Sequence, residues 1–388
     1  MYEPFPGNYV WNLSTNLALM CGGNIGEIDE ACRPIREAAE KGEDAGTALF
    51  FDSWINVAQK VLASADDDLA KGRDLSAGIK YQRAAGYLLS AERMQSRDYA
   101  PRWEAYNNGL KYFRKGITLQ KKPVEFVDIP YEGGHFTGLF IPAENGPDGR
   151  PAPCVVSCNG LDSMKEQIYG AQNPEAFRLR GVSTLVIDQP GTGEALRSFG
   201  LTGVYDAERW GSACFDYLAS REDVDSSRIG IFGLSLGGYY APRIASMDKR
   251  FVLCAVMGAN HNWGEMQVRR LNREGDRPVP HYWDHVLWVF GHKDLEAFMA
   301  WAPNMDLTGI IDKMTCPFLI THGDGDRQIP VEYALQSHDQ AVNSSKRELV
   351  ITNKNQFEVE HCGADNGTYL RDLIADWLSE TFREMENG

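Results

Sequence analysis

The segment that most restricts the fold of this chain covers residues 228–240 and reads RIGIFGLSLGGYY. Its first part is an apolar run typical of a buried strand, and its last part continues into residues compatible with a helix. Between them, Gly233, Ser235 and Gly237 follow the pattern G-x-S-x-G. A sharp turn from strand to helix strains the backbone at Ser235 and leaves no room for a Cβ two residues to either side. The segment therefore predicts an exposed, nucleophilic serine rather than a glycine-rich turn with an incidental one.

The chain after Lys121 alternates strand-like and helix-like segments. Apolar runs typical of strands begin at Val124, His135, Cys154, Ser183, Ile229, Val252, Phe318 and Glu348. The first two runs are separated by the turn sequence EGG, which predicts a hairpin. Most of the others are far enough apart for a crossover helix, which favours a mostly parallel sheet with helices on both faces. Together with the serine turn, this order predicts an α/β-hydrolase fold.

With 388 residues the chain exceeds the usual size of a single domain, so one large or two medium domains are expected, and a change of pattern near Lys121 favours two. Residues 1–120 show helical periodicity without strand-like alternation and predict a helical N-terminal domain or cap. Residues 121–388 predict the catalytic domain. Within it, residues from about 261 to 308 are rich in Trp, His, Arg and Asp but contain no good strand. An insertion at this point predicts a cap over the site.

A serine hydroxyl needs a base to activate it and an acid to hold that base. In this fold the acid and then the base follow the nucleophile along the chain, on loops after late strands. Asp326, three residues after Gly323, is the predicted acid, and the alternative is Asp324, interpreted as a turn-forming residue. His361 lies between a strand-like run and the final helix and is the predicted base. The other late histidine, His338, falls in a predicted helix and is expected to face solvent.

Two backbone amides are predicted to hold the oxyanion. The amide of Leu236 directly follows the nucleophile, and the amide of Leu161 follows an Asn-Gly pair at the end of a strand-like run. An Asn-Gly pair at the end of a strand can also be only a turn. Lys165 and Glu166, a few residues further on, are interpreted as a solvated helix start or as a brace for this loop.

The charge of the chain argues against two classes of partner. The chain has 54 acidic and 39 basic side chains and a net charge of −15, and such a surface repels phosphate backbones and anionic lipids. Neither a nucleic acid nor a membrane is therefore expected as a partner. The N-terminal sequence has no basic cluster, and the eight cysteines form no CxxC pair, which favours free thiols in a cytoplasmic protein. Neither a metal-ligand spacing nor a dinucleotide fingerprint is present, so no metal or cofactor is expected.

Four motifs carry a resemblance to a known branch of the α/β-hydrolases. They are NGLDSMKE at 159–166, DQPGTGE at 188–194, GLSLGGYY at 233–240 and EHC at 360–362. In these motifs the chain resembles the 2,6-dihydroxypseudooxynicotine hydrolase-like family, which includes the fungal yellowish-green polyketide-shortening hydrolases. The resemblance implies a homodimer formed through the helical N-terminal region. It also implies hydrolysis of a carbon–carbon bond beside a ketone, through an acyl-enzyme. The sequence GADN that follows EHC departs from the family pattern.

A small aromatic or polyketide-like molecule, such as an aryl ketone or a β-diketone, is the substrate expected from this resemblance. Candidate substrate-binding residues lie in the predicted cap and are His261, Trp263, Glu265, Tyr282 and Trp283. For the aromatic members, the alternative is ordinary packing of cap helices. Two other functions remain open: a carboxylesterase or acyl-peptidase that uses the same Ser235, Asp326 and His361, and a non-catalytic regulatory protein on the same fold.

Overall fold

A mostly parallel sheet of eight strands carries the fold in the computed structural model, which describes residues 1–41, 46–144, 150–272, 274 and 276–387. The strands are β1 (Glu125–Tyr131), β2 (Gly134–Ile141), β3 (Ala152–Cys158), β4 (Ser183–Ile187), β5 (Val224–Leu234), β6 (Cys254–Met257), β7 (Phe318–Gly323) and β8 (Arg347–Thr352). Their order across the sheet is β1-β2-β4-β3-β5-β6-β7-β8. The pairs β1–β2 and β2–β4 are antiparallel, and the other neighbours are parallel. The predicted α/β-hydrolase fold, with its first hairpin, is confirmed.

Helices precede and connect the strands. The first five are α1 (Tyr9–Met20), α2 (Ile25–Glu40), α3 (Gly46–Ala70), α4 (Asp74–Arg93) and α5 (Pro101–Gln120), and they confirm the predicted helical N-terminal region. The later helices are α6 (Lys165–Gly170), α7 (Asn173–Arg178), α8 (Gly193–Arg197), α9 (Glu208–Ala219), α10 (Gly237–Met247), α11 (Trp263–Leu271), α12 (Tyr282–Phe290), α13 (Leu295–Trp301), α14 (Val331–Gln340) and α15 (Tyr369–Asn387). Helices α11 to α13 occupy the interval for which no strand is predicted.

Four of the inner strands are buried along their whole length. All residues of β3, β4, β6 and β7 are buried, and these strands consist mainly of small and branched apolar residues. Helix α10 packs against β5 and β6, α7 against β4, and α14 against β7. Parallel strands covered by helices in this way lose their polar alternation, which explains why they are continuous apolar runs in the sequence. The carboxyl ends of these strands lie at one edge of the sheet, where the loops of interest begin.

The first compact unit comprises Met1–Pro123 together with Asp276–Val286. Helices α3, α4 and α5 pack side by side, and their inner faces form an aromatic and aliphatic core with parts of α1 and α2. Arg93 Nη2 donates a hydrogen bond of 3.2 Å to the carbonyl oxygen of Pro278. This buried contact ties the segment Asp276–Val286 to the helices of the unit.

The second compact unit comprises Val124–Gly275 and Leu287–Gly388 and contains the whole sheet. The predicted boundary near residue 120 and the predicted cap insertion at about 261–308 stay predictions, and residues 273 and 275 of that insertion lie outside the described residues. Across the part of the chain that the structure describes, no helix is both long enough and apolar enough to cross a membrane.

Candidate active site

Ser235 occupies the sharp turn between β5, which ends at Leu234, and α10, which begins at Gly237. Its φ of +57° lies in the left-handed region, which a residue with a side chain adopts only when its surroundings impose it. A Cβ at position 233 would lie 2.0 Å from the carbonyl oxygen of Gly237, and a Cβ at position 237 would lie 2.9 Å from that of Cys158. Backbone packing therefore requires glycine on both sides of Ser235.

His361 and Asp326 form a hydrogen-bonded row with Ser235. His361 Nε2 lies 2.8 Å from Ser235 Oγ, and His361 Nδ1 lies 2.8 Å from Asp326 Oδ2. With a neutral imidazole, Nδ1–H donates to the carboxylate and Nε2 accepts from the serine hydroxyl. Asp326 Oδ1 also accepts the backbone N–H groups of Gln328 and Ile329, at 2.7 Å and 2.9 Å, and these bonds fix the carboxylate. The structure thus brings together the three residues predicted from the sequence.

The two sequence alternatives lie elsewhere. Asp324 is exposed, and its backbone N–H donates to the carbonyl oxygen of Thr352. His338 lies in α14, where its Nδ1 is 3.3 Å from an oxygen of the neighbouring Asp339 and its side chain is 30% exposed. Asp324 is thus exposed, as expected for a turn-forming aspartate, whereas the helical His338 is half-buried.

The electrostatics of the row favour a charged Asp326 and a basic His361. Burial alone would raise the pKa of Asp326, but the nearby His361 lowers it below its ordinary value of 3.8. Burial alone would lower the pKa of His361, but the Asp326 carboxylate and the Cys362 thiol raise it well above its ordinary value of 6.5. Because Asp326 stabilises the imidazolium, His361 is suited to take a proton from Ser235.

Replacing Asp326 by asparagine is expected to lower kcat by about 10⁴-fold, because the imidazole loses both its orientation and its stabilising charge. The acidic limb of the kcat/KM profile is expected above pH 6.5 in the wild type, since His361 must be neutral to act and its pKa is raised. Loss of the carboxylate lowers that pKa, so the limb moves to lower pH in Asp326→Asn. Rates measured between about pH 5 and pH 9.5 test this, with Asp324→Asn as the control. A limb that stays in place would contradict the assignment of Asp326 as the partner of His361.

His322 is a second histidine beside the acid, and it was not predicted. It is the second-to-last residue of β7, and its side chain is fully buried. Its Nε2 lies 3.0 Å from the carbonyl oxygen of Ile329 and 3.5 Å from Asp326 Oδ2. Burial lowers the pKa of His322, so the neutral ring donates to Ile329 and supports the loop that holds Asp326. The signal in the sequence is its position four residues before the acid, near the end of the strand that leads into the loop of the acid.

Cys362 joins the turn of the base to the turn of the nucleophile. Its Sγ lies 3.6 Å from His361 Nε2 and 3.0 Å from the carbonyl oxygen of Met257, to which the thiol donates. The same carbonyl oxygen accepts the backbone N–H of Ser235 at 3.0 Å. A Cβ at position 258 would lie 2.9 Å from this sulfur, so Gly258 makes room for it. The EHC motif was the available signal, but the sequence does not indicate what the thiol contacts.

The turn after β3 lies beside the nucleophile. A Cβ at position 160 would lie 3.2 Å from Ser235 Cβ, and the Asn159 carbonyl oxygen would lie 3.1 Å from a Cβ at position 237. The N–H of Gly160 donates to Ser163 Oγ at 2.9 Å, so this amide is already used within the turn. The next residue is Leu161, which is 5% exposed, and Leu236 on the other turn is 1% exposed. The oxyanion roles of the Leu161 and Leu236 amides stay predictions.

The polar candidates of the predicted cap have partners on α14. His261 is fully buried, with Nδ1 3.1 Å from Ser337 Oγ, and burial lowers its pKa to about 4. Glu265 is exposed and accepts a hydrogen bond of 3.0 Å from the Tyr333 hydroxyl. Roles of His261 and Glu265 in substrate binding stay predictions.

The aromatic candidates pack against other rings or cations. The Trp263 ring lies 4.9 Å from that of Phe290, within the second unit, and Trp263 is 1% exposed. Tyr282 and Trp283 lie in the first unit, where their rings are 5.1 Å apart and the Arg277 guanidinium lies 5.6 Å from the Trp283 ring. Their roles in substrate binding also stay predictions.

Lys165 and Glu166 are buried, with 1% and 6% exposure. Of the two sequence interpretations for this pair, the solvated helix start is therefore wrong. Lys165 is surrounded by carboxylates, which satisfy its charge within the protein. Among the residues that the structure describes, including those around Lys165, no group of three or more His, Cys, Asp or Glu side chains could hold a metal ion.

The sheet order and the strained serine turn define the class of the protein: it is a hydrolase of the α/β-hydrolase superfamily. The chain belongs to the prolyl oligopeptidase family, whose sequence model matches residues 169–384, and it also matches the model described as esterase FrsA-like over residues 51–265.

Relatives of the chain include bacterial and fungal hydrolases. The chain is 26% identical over 331 residues to 2,6-dihydropseudooxynicotine hydrolase of Paenarthrobacter nicotinovorans, an alignment that covers 85% of this chain and 83% of the relative. It is 29% identical over 266 residues to hydrolase ORFZ of Pyricularia oryzae, covering 66% of this chain and 61% of the relative. The crystal structure of 2,6-dihydroxy-pseudo-oxynicotine hydrolase has the same fold, with a TM-score of 0.76 at 23% identity over 95% of each chain. The resemblance stated from the four motifs is confirmed.

Proposed function

We propose that the protein is a serine hydrolase that cleaves a carbon–carbon bond next to a ketone, in an aryl ketone, β-diketone or polyketide-like substrate. The single observation that carries a serine mechanism is the row of two 2.8 Å contacts from Ser235 through His361 to Asp326. A non-catalytic protein would not need to keep a strained serine, a buried acid and a base in this order.

The first half of the reaction forms an acyl-enzyme. Ser235 Oγ attacks the carbonyl carbon while His361 Nε2 takes the hydroxyl proton, and the carbonyl oxygen becomes an oxyanion held by the Leu161 and Leu236 amides. The bond between the carbonyl carbon and its neighbour then breaks, and its electron pair leaves with the neighbouring carbon. In a β-diketone this carbanion is an enolate, which the second carbonyl stabilises. The imidazolium of His361 returns the proton to the enolate carbon, and the resulting ketone leaves.

The second half releases the acid. Water attacks the acyl-enzyme while His361 again takes a proton, a second oxyanion forms, and Ser235 leaves with the proton returned by His361. For a β-diketone the products are a carboxylic acid and a ketone, and the site is restored. The row supplies the nucleophile and all proton transfers, the two backbone amides hold the oxyanion, and the only further reactant is water.

The carbon–carbon reaction is supported by the motifs shared with the 2,6-dihydropseudooxynicotine hydrolase-like family. Carboxylesterase or acyl-peptidase activity is the second candidate, because the chain also matches the esterase FrsA-like and prolyl oligopeptidase models. The two candidates use the same first step and differ in the leaving group. An alkoxide or amine leaves more readily than a carbanion. The row supplies the nucleophile and the proton transfers that both reactions need, so the row alone does not distinguish them.

A substrate panel distinguishes the two candidates. Purified protein is incubated with aryl β-diketones, aryl ketones and matched aryl esters, and the products are identified by mass spectrometry, with Ser235→Ala as the control. We expect cleavage of a diketone into an acid and a methyl ketone, absent from the variant. Cleavage of esters alone would support the esterase and reject the carbon–carbon reaction.

A further inference from the structure

A buried group of charged side chains lies behind the turn after β3. Lys165 Nζ is 2.8 Å from Asp188 Oδ2, 2.6 Å from Glu194 Oε2 and 3.0 Å from Glu166 Oε1. The side chains of Lys165, Asp188 and Glu166 are 2%, 0% and 4% exposed. Burial raises the pKa of Glu166 to about 7, although Lys165 opposes this shift and Asp188 and Glu194 add to it. Charges buried this deeply persist only when each has partners, so the group is a specific, built feature of the fold.

Asp188 is the member of the group that also holds backbone. Its Oδ1 accepts the N–H of Lys165 at 2.8 Å and its Oδ2 accepts the N–H of Glu194 at 2.9 Å, so one carboxylate secures the starts of α6 and α8. Its Oδ1 also lies 3.4 Å from Asn159 Nδ2. Position 193 must be glycine, because a Cβ there would lie 2.0 Å from the carboxylate.

Asn159 carries this contact to the turn beside the nucleophile. Its Nδ2 donates to the carbonyl oxygen of Ile187 at 2.6 Å, and its backbone N–H and C=O each form a 3.0 Å bond with the side-chain amide of Gln189. Its Oδ1 accepts the Ser163 hydroxyl at 3.0 Å, and the same hydroxyl oxygen accepts the N–H of Gly160 at 2.9 Å. All polar groups of Asn159 are used, so the turn is held in one conformation from both ends.

We infer that Asp188 is a positioning residue for the oxyanion site: through Asn159 and the start of α6, its carboxylate fixes the turn that carries the Leu161 amide. The inference rests on the proposed function, because it requires an oxyanion to form on the adduct with Ser235. Asp188 touches no reacting atom and acts only through the turn. A hydrogen-bond donor lowers the activation barrier when it is in place before negative charge develops on the oxyanion. Loosening the turn therefore reduces kcat more than it changes substrate binding.

The same contacts account for two motifs that the Ser235 row leaves unexplained. Asn159 and Lys165 belong to NGLDSMKE, and Asp188 and Glu194 belong to DQPGTGE. The two motifs follow the neighbouring parallel strands β3 and β4, and their residues meet at the carboxyl ends of these strands. The buried carboxylate is the point at which both motifs are joined.

The test is Asp188→Asn, which keeps the shape of the side chain but replaces one accepting oxygen by an NH₂ group. We expect kcat to fall by about 10- to 100-fold and KM to change by less than about threefold. Labelling of Ser235 by a fluorophosphonate is expected to slow in parallel. The pH midpoint of kcat/KM stays in place, because His361 and Asp326 keep their contacts. A general loss of structure would not produce this split.

A matched control is Asp248→Asn at the end of α10. Asp248 also accepts hydrogen bonds from a cation and a hydroxyl, Arg250 and Ser212, and its side chain is 10% exposed. Asp248 belongs to neither motif, so the kcat of the Asp248→Asn variant is expected to stay within about twofold of wild type. Thermal unfolding of both variants shows whether they are folded.

If Asp188→Asn does not fold, Ser163→Ala decides, because it removes only the hydroxyl that joins Gly160 to Asn159. Its kcat is expected to fall by about 3- to 10-fold. If Asp188→Asn folds and its kcat stays within about twofold of wild type, the inference is overturned and the proposed function stays intact. If Asp188→Asn does not fold, an unchanged kcat of Ser163→Ala has the same meaning. A wild-type protein that neither turns over any panel substrate nor reacts at Ser235 would overturn the proposed function and the inference together.

Discussion

Ser235→Ala is expected to lower kcat by about 10⁵-fold or more, while the free energy of unfolding stays within about 1 kcal/mol of wild type. The residue lies at a φ of +57°, and alanine has the same Cβ as serine, so the strain of the turn does not change. What is lost is the oxygen that lies 2.8 Å from His361 Nε2. The measurement is turnover of the best panel substrate, together with a urea unfolding curve.

The control for this variant is Ser246→Ala, on the helix that follows the same turn. Ser246 is 1% exposed, and its hydroxyl has no hydrogen-bond partner in the described part of the chain. Removing it is therefore expected to leave both turnover and stability nearly unchanged. Turnover by Ser235→Ala at more than about a tenth of the wild-type rate would show that another group supplies the nucleophile.

Gly233→Ala is expected to destabilise the protein by about 4 kcal/mol or more, enough to leave little folded protein. The new Cβ would lie 2.0 Å from the Gly237 carbonyl oxygen and 2.4 Å from its carbonyl carbon. These are backbone atoms at the start of α10, so they cannot move aside without displacing the helix from β5 and β6. The measurement is the urea midpoint of the purified variant, or its soluble yield if it cannot be purified.

Gly134→Ala provides the comparison, because Gly134 also lies in a strand of the sheet. The nearest atom to a Cβ there would be the Tyr131 carbonyl oxygen at 3.8 Å, which is an ordinary contact. Its urea midpoint is expected to stay close to wild type. Equal stability of the two variants would mean that the close approach at the serine turn is relieved without a penalty.

Much of the sheet could be predicted because its inner strands are short apolar runs separated by helix-length segments. The strands β3, β4 and β7 are buried on both faces, so their sequences carry no competing polar pattern. The placement of Asp326 and His361 near Ser235 could be predicted from the same alternation of strands and helices. Each residue comes shortly after the carboxyl end of a parallel strand, and these ends meet at one edge of the sheet.

The charged group behind the turn could not be predicted, because its members come from separate parts of the chain. Lys165 is 23 residues from Asp188 and 29 from Glu194. A lysine beside a glutamate at the start of a helix has the same local pattern whether it faces solvent or carboxylates. Only the close pairing of β3 with β4 brings the partners together, and local periodicity does not contain that information.

The aromatic residues of the predicted cap pose a related problem. A tryptophan in an amphipathic helix can line a pocket or pack against its neighbours, and both uses require the same spacing in the sequence. Trp263 packs against Phe290 and Phe298, which lie more than twenty residues further along the chain. Which use applies depends on the neighbours that folding supplies, and the spacing of the apolar residues does not identify them.

His361 follows Ser235 by 126 positions, and this separation also sets an order in time. At ribosomal speeds of about 5 to 20 residues per second, the serine turn is synthesised roughly 6 to 25 s before the histidine that activates it. During that interval the growing chain carries a serine without its base, so it cannot attack metabolites or its own nascent neighbours. When the complete chain refolds, activity is expected to return only once β7 and β8 have paired, because Asp326 and His361 lie on the segments that follow these two strands.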